Sequence, residues 1–213
     1  MSELAAIAPY LLPDEIIELQ QLVRDIAVNE VAPRAAELDE KSEYGWEIRK
    51  ILSENDIFGL PFEEEHGGTG TGTLMLNIAI EELAKADGST ALQLMTQELG
   101  TLPIKLFGSD EMKHRLLPGC ASGETIPAFG LSEPGAGSDP AGMVTSARLD
   151  GDEWVINGTK NWITNTGIAH FYVVFAVTQR EPKREITAFV VESDREGFSW
   201  GPLEHKLGIK GSP

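Results

Sequence analysis

The apolar residues of this chain change period once, near residue 124, and that change limits its fold more than any other feature. Before it, apolar side chains recur at helical spacing. Ile16, Leu19, Leu22, Val23 and Ile26 follow Pro13 and the acids Asp14, Glu15 and Glu18. This is a preorganised first turn with negative charge at the positive helix end. Pro33 ends or kinks that helix. A short helix is predicted near residues 46–55, with Ile48, Ile51 and Leu52 inward. A third, capped by Thr71 or Thr73, carries Leu74, Ile78 and the Glu81/Lys85 pair at i,i+4. A fourth, from Ser89 to about Phe107, has Ala91, Leu92, Leu94, Met95, Leu99 and Leu102 nearly all round, as a buried central helix does. Ser109 caps a fifth, which ends before Pro118-Gly119.

After residue 124 the pattern is that of strands. Residues 142–149 and 153–157 flank Asp150-Gly151-Asp152, a hairpin signal. Residues 170–177 (HFYVVFAV) and 186–191 (ITAFVV) are β-branched and aromatic runs bounded by turn residues. Strands spaced this way without intervening helices point to an antiparallel sheet or small barrel. The predicted fold is α+β: a helical domain over residues 1–122, then an antiparallel β-barrel-like domain over residues 123–213. A length of 213 residues suits two modest domains.

Charge and cysteine content exclude several functions. A net charge of −17 repels phosphate backbones and anionic bilayers, so neither nucleic acid nor a membrane surface is an expected partner. Cys120 is the only cysteine, which rules out an intrachain disulfide and fits a reducing compartment. No apolar run approaches the ~20 residues needed to span a bilayer, and Met1-Ser2-Glu3-Leu4 does not open a leader. A cytoplasmic protein is expected. The four histidines are scattered without metal-ligand spacing, so no metal is expected.

Two stretches carry special chemistry. Residues 128–140 (AFGLSEPGAGSDP) run from a short strand into a glycine-rich turn. Its successive N–H groups, with the Ser132 and Ser138 hydroxyls, suit a pyrophosphate, although the same residues also make a tight interdomain turn. It is not a Rossmann fingerprint, because Pro140 stands where the third glycine belongs. In residues 157–165 (NGTKNWITN), Trp162 and Thr164 would share one face of a strand and pair an aromatic wall with a hydroxyl. Residue types alone favour a plain amphipathic strand with a core Trp. Residues 197–201 (GFSWG) spell a hydrolase elbow, but no helical period follows Pro202.

Together these stretches resemble the acyl-CoA dehydrogenase family, on residues 129–139 (FGLSEPGAGSD), 157–165 (NGTKNWITN) and 60–70 (LPFEEEHGGTG). Residues 81–84 (EELA) and 206–210 (KLGIK) match as well. The resemblance implies a helical domain, a middle β domain and a C-terminal helical domain, with FAD bound beside the middle domain. It implies α,β-desaturation of an acyl-CoA thioester, with hydride transfer to flavin N5. It assigns Phe129, Leu131 and Ser132 to the flavin edge, Gly137 and Ser138 to the pyrophosphate, and Ser138 also to acyl-CoA. Trp162 flanks the isoalloxazine ring, with Ile163 beside it and Thr164 near N5. The family's base is a glutamate of the C-terminal domain, and no residue up to Pro213 matches it, so no catalytic residue is nominated here. A homo-oligomer (dimer or tetramer) and an electron-transferring flavoprotein as acceptor are also implied. An acyl-CoA oxidase and a non-catalytic flavin or acyl-CoA binding fragment share these motifs.

Overall fold

The computed structural model describes residues 13–213. The reading of Met1-Ser2-Glu3-Leu4 lies outside the described residues. Among the described residues six α-helices come first: α1 (Asp14–Ile26), α2 (Ala32–Lys41), α3 (Trp46–Glu54), α4 (Gly72–Ala86), α5 (Gly88–Phe107) and α6 (Asp110–Ala121). Five strands follow: β1 (Pro127–Gly130), β2 (Ser146–Asp150), β3 (Glu153–Asn157), β4 (Phe171–Gln179) and β5 (Glu185–Glu192). No strand precedes Pro127 among the described residues.

The helix boundaries depart from expectation where proline was given too much weight. Pro33 does not end the first helix. The α-helical run is instead interrupted by a π-helical turn at Ala27–Val31, just before Pro33, which sits in the first turn of α2. Pro118 is likewise carried inside α6, which runs to Ala121. Thr71 precedes α4 without a side-chain cap, whereas Asp87 caps α5 through the N–H groups of Ser89 and Thr90. Ser109 caps α6 by accepting from Met112 N–H at 3.2 Å, as read from sequence.

The sheet is mixed and open, where the sequence suggested an antiparallel barrel. β4 is its spine. It pairs antiparallel with β5 on one edge and parallel with β1 on the other, Pro127 opposite Phe171. β2 touches β4 in parallel at Ser146 and Val177, and β2–β3 is the expected hairpin, with Asp150 opposite Glu153. Parallel pairing needs a long connection, and residues 131–170 supply it, carrying both the glycine-rich turn and the 157–165 stretch.

Two of the core clusters involve the helices. Val23, Ile48, Leu52, Phe58, Leu83 and Leu94 pack among the helices. A second cluster joins Ile104, Leu117 and Cys120 of the helices to Phe171 and Val173 of β4. α5 lies close against β1, since a Cβ added to Gly100 would come within 2.7 Å of Pro127. Buried Arg49 clamps the connection between the halves. It donates to Gly123 O at 2.7 and 3.0 Å and to Gln97 Oε1 at 3.2 Å, and stacks on Phe58 at 4.3 Å.

Candidate active-site cleft

α5 was expected to be buried nearly all round; Ala91 and Leu94 are buried, but so are several polar residues, while part of its apolar set is exposed. Its buried side includes Gln93, Thr96, Gln97 and Thr101, while Met95, Leu99 and Leu102 are more than a third exposed. Buried amides and hydroxyls are tolerated only where they find partners. Gln97 Nε2 donates to Cys120 O and Thr125 O, both at 2.7 Å, and Thr101 Oγ1 donates to Gln97 O. The polar face thereby meets carbonyls at the crossing from α6 into β1, and of the exposed apolar residues Leu99 borders a cleft.

That cleft, about 200 Å³, is lined by Thr96 and Leu99 from α5, Phe129, Leu131 and Ser132 at the end of β1, and Trp162, Ile163 and Thr164. Six of the eight residues singled out from sequence thus share one cavity. Gly137 and Ser138 do not line it; they lie exposed on the turn beyond Ser132. Thr96 and Leu99 escaped the sequence reading, which counted apolar positions along α5. The one signal was a run of polar residues at helical spacing in an otherwise apolar helix.

Residues 158–166 form no strand, and Trp162 is no core residue: it is 71 % exposed. Trp162 and Asn165 both adopt left-handed backbone, φ 56° and 69°, which breaks the extended run. The shared-face argument for Trp162 and Thr164 therefore fails, although a turn brings both to the cleft. Buried Asn165 holds that turn. Its Nδ2 donates to Pro127 O at 2.9 Å and to Thr96 Oγ1 at 3.2 Å, tying the turn to β1 and α5. The Asn161 N–H donates to Ser132 O at 2.8 Å.

Beneath the cleft lies a buried ion pair that the sequence reading did not single out. Lys160 Nζ donates to Glu133 Oε1 at 2.8 Å and to Leu131 O at 3.0 Å. Burial works to raise the Glu133 carboxyl, but Lys160 and donors from Thr145 and Val144 override it and hold the group at about 2. The backbone donors are Val144 N–H at 2.6 Å and Thr145 N–H at 3.0 Å.

The cleft suits a flat, partly polar ring system. Trp162, Phe129, Leu131, Leu99 and Ile163 offer apolar walls, and Ser132, Thr164 and Thr96 offer hydroxyls. Beside it, a Cβ built on Gly135 or Gly137 meets nothing within 4 Å, and neither glycine has positive φ. Neither backbone strain nor internal packing requires glycine there, and the turn is open to close approach from outside. Among the described residues, the lining holds no carboxylate and no imidazole.

Other candidates resolve otherwise. Burial pushes the Cys120 thiol up to about 12, which makes it a poor nucleophile. His66 and His114 meet edge-on at 5.4 Å, but among the described residues no group of three metal-ligating side chains forms. No helix follows residues 197–201, so the hydrolase elbow is absent. No helix among the described residues is long and apolar enough to cross a membrane.

Comparison with known proteins supplies the family. The acyl-CoA dehydrogenase N-terminal domain matches residues 13–124, and the acyl-CoA dehydrogenase middle domain matches residues 128–213. A probable acyl-CoA dehydrogenase of Mycobacterium tuberculosis, FadE25, is 44% identical over 205 residues, 95% of this chain and 52% of the relative. Butyryl-CoA dehydrogenase from Megasphaera elsdenii superposes with a TM-score of 0.88 at 37% identity, over 95% of this chain and 54% of that one. An acyl-CoA dehydrogenase complexed with FAD from Bacillus anthracis gives 0.87 at 36%, over 96% of this chain and 35% of that one. The chain spans about half the length of the curated relatives it matches. On both domain matches and this identity, the chain belongs to the acyl-CoA dehydrogenase family.

Proposed function

We propose that residues 1–122 and 123–213 are the first two domains of an FAD-dependent acyl-CoA dehydrogenase, which introduces an α,β double bond into an acyl-CoA thioester. The cleft carries this reading: two family motifs, some 30 residues apart, meet there with an α5 wall. Bound FAD supplies the two-electron oxidation, and the chain's residues bind and orient. Trp162 flanks the flavin ring, with Ile163 behind it. Phe129, Leu131 and Ser132 follow its edge, and Thr164 donates a hydrogen bond near its redox end. Gly137 and Ser138 accept the pyrophosphate, and Ser138 reaches towards acyl-CoA. The base that takes the α proton stands outside the cleft lining, which among the described residues has no group of suitable chemistry. A cytoplasmic homo-oligomer that passes its electrons to an electron-transferring flavoprotein, within fatty acid metabolism, completes the proposal on the strength of the family resemblance.

Flavin titration tests it. Adding FAD to the chain is expected to quench tryptophan fluorescence saturably, with most of the quench lost in Trp162→Phe, since an exposed indole against a flavin transfers its excitation efficiently. A chain that shows no saturable quench, or an undiminished quench in Trp162→Phe, overturns the assignment.

A further inference from the structure

The two walls of the cleft come from segments about 30 residues apart, and three bonds span them. The Asn161 N–H meets Ser132 O, and Lys160 Nζ meets both Leu131 O and the Glu133 carboxylate. Neither Lys160 nor Glu133 lines the cleft, yet each is within two residues of residues that do. The Glu133 residue is 3 % exposed. One carboxylate oxygen takes Val144 N–H, and the other is shared by Thr145 N–H and Lys160. Around it, Glu133 and Ala136 exchange backbone bonds at 3.0 and 3.1 Å, closing the turn that presents Gly135 and Gly137. Four segments therefore converge on one pair: the end of β1, the glycine-rich turn, the entry to β2 and the Trp162 turn.

A buried ion pair is a weak source of net stability, because apolar side chains of similar volume often do as well, whereas removing one partner strands a charge. Stability alone leaves unexplained why this pair sits at the junction of the two walls and spends one lysine proton on Leu131 O. We propose that Glu133 and Lys160 are positioning residues that set the separation and tilt of the Leu131–Ser132 and Trp162–Thr164 walls. They act on the bound ligand through those walls without touching it. The ligand part of this statement rests on the flavin reading; the wall geometry does not.

The experiment compares the chain with Lys160→Met, Glu133→Gln and the double variant. Three quantities are measured: the thermal midpoint, amide exchange at Asn161 by NMR, and the FAD dissociation constant with the visible spectrum of the bound flavin. Lys160→Met is expected to lower the midpoint. It should also speed Asn161 exchange at least tenfold while amides of the β4–β5 pair keep their protection. FAD binding should weaken at least tenfold, and the flavin bands should move towards those of free flavin. The double variant, which no longer buries a lone charge, is expected to recover the midpoint but neither Asn161 protection nor flavin affinity, because the bond to Leu131 O is still missing. Recovery of all three together reduces the pair to a fold stabiliser and overturns the proposal. So does Asn161 protection unchanged in Lys160→Met. If the unaltered chain binds no FAD, the flavin reading fails by itself, and Asn161 exchange still decides the positioning claim. If Lys160→Met does not fold, the double variant supplies the same exchange and affinity measurements.

Discussion

Thr164 and Trp162 reach the cleft by a turn that left-handed backbone makes possible, so their roles depend on single conformations. Thr164 offers the cleft a hydroxyl. Its replacement by Ala is expected to weaken FAD binding by about 1–3 kcal/mol, the range for one polar or charge-assisted bond. Equilibrium titration checks this, and an affinity equal to the parent chain's removes Thr164 from the flavin's polar contacts. At this scale the site was legible in part. Ser132, Trp162 and Thr164 stood out in sequence because they lie in two stretches of unusual composition, and those stretches meet at the cleft. Thr96 and Leu99 were hidden, since one Thr and one Leu in a helix carry no mark of which way they face. Lys160 and Glu133 read as ordinary members of two motifs, since pairing across the intervening stretch is visible only once β1 and β4 are parallel.

Among the elements, α1 is pinned to α4 by one buried carboxylate. Glu82 Oε1 accepts from Gln20, Arg24 and Lys85, all within 2.9 Å. Arg24 chiefly, against the opposing effect of burial and with help from Lys85, holds the Glu82 carboxyl at about 2. Its folded pKa lies below the roughly 4.3 of an unfolded glutamate. The stabilisation is therefore fully present above that value and is lost as pH falls towards 2. Glu82→Gln is expected to cost about 1 kcal/mol at neutral pH, the low end for a charged bond because Arg24 is half-exposed. The gap to the parent should narrow between pH 5 and 2 in denaturant unfolding, while the loss due to Glu133 over the same range is common to both proteins. A gap that stays constant with pH assigns the loss to shape and not to charge. For α5, hydrophobic counting found the helix but not its exposed side, where Met95, Leu99 and Leu102 lie. Its buried Gln97 and Thr101 answer carbonyls of other elements that no local pattern reveals.

At the scale of the whole molecule, the order of helices and then strands was written in the change of period, because burial of one face per element dictates spacing directly. Strand pairing was not. β1 and β4 pair in parallel across a connection of about 40 residues, and neither strand's own residues distinguish a parallel neighbour from an antiparallel one. The resulting architecture divides the chemistry. The chain gathers apolar walls and hydroxyls at the cleft, but among the described residues no carboxylate or imidazole lines it. General-base assistance typically contributes about 10²–10⁴-fold in rate. The 213-residue chain, supplied with FAD, a short acyl-CoA and an artificial electron acceptor, is therefore expected to reduce the acceptor at least about a hundredfold more slowly than a relative such as butyryl-CoA dehydrogenase under the same conditions. It is still expected to bind flavin measurably. Exchange of the substrate's α hydrogen with deuterated solvent separates the steps: the chain should leave it at the uncatalysed rate, because proton removal is the step without a group to perform it. Rapid α exchange, or acceptor reduction matching the relative's, would place a competent base within residues 1–213 and make the cleft a complete catalytic centre.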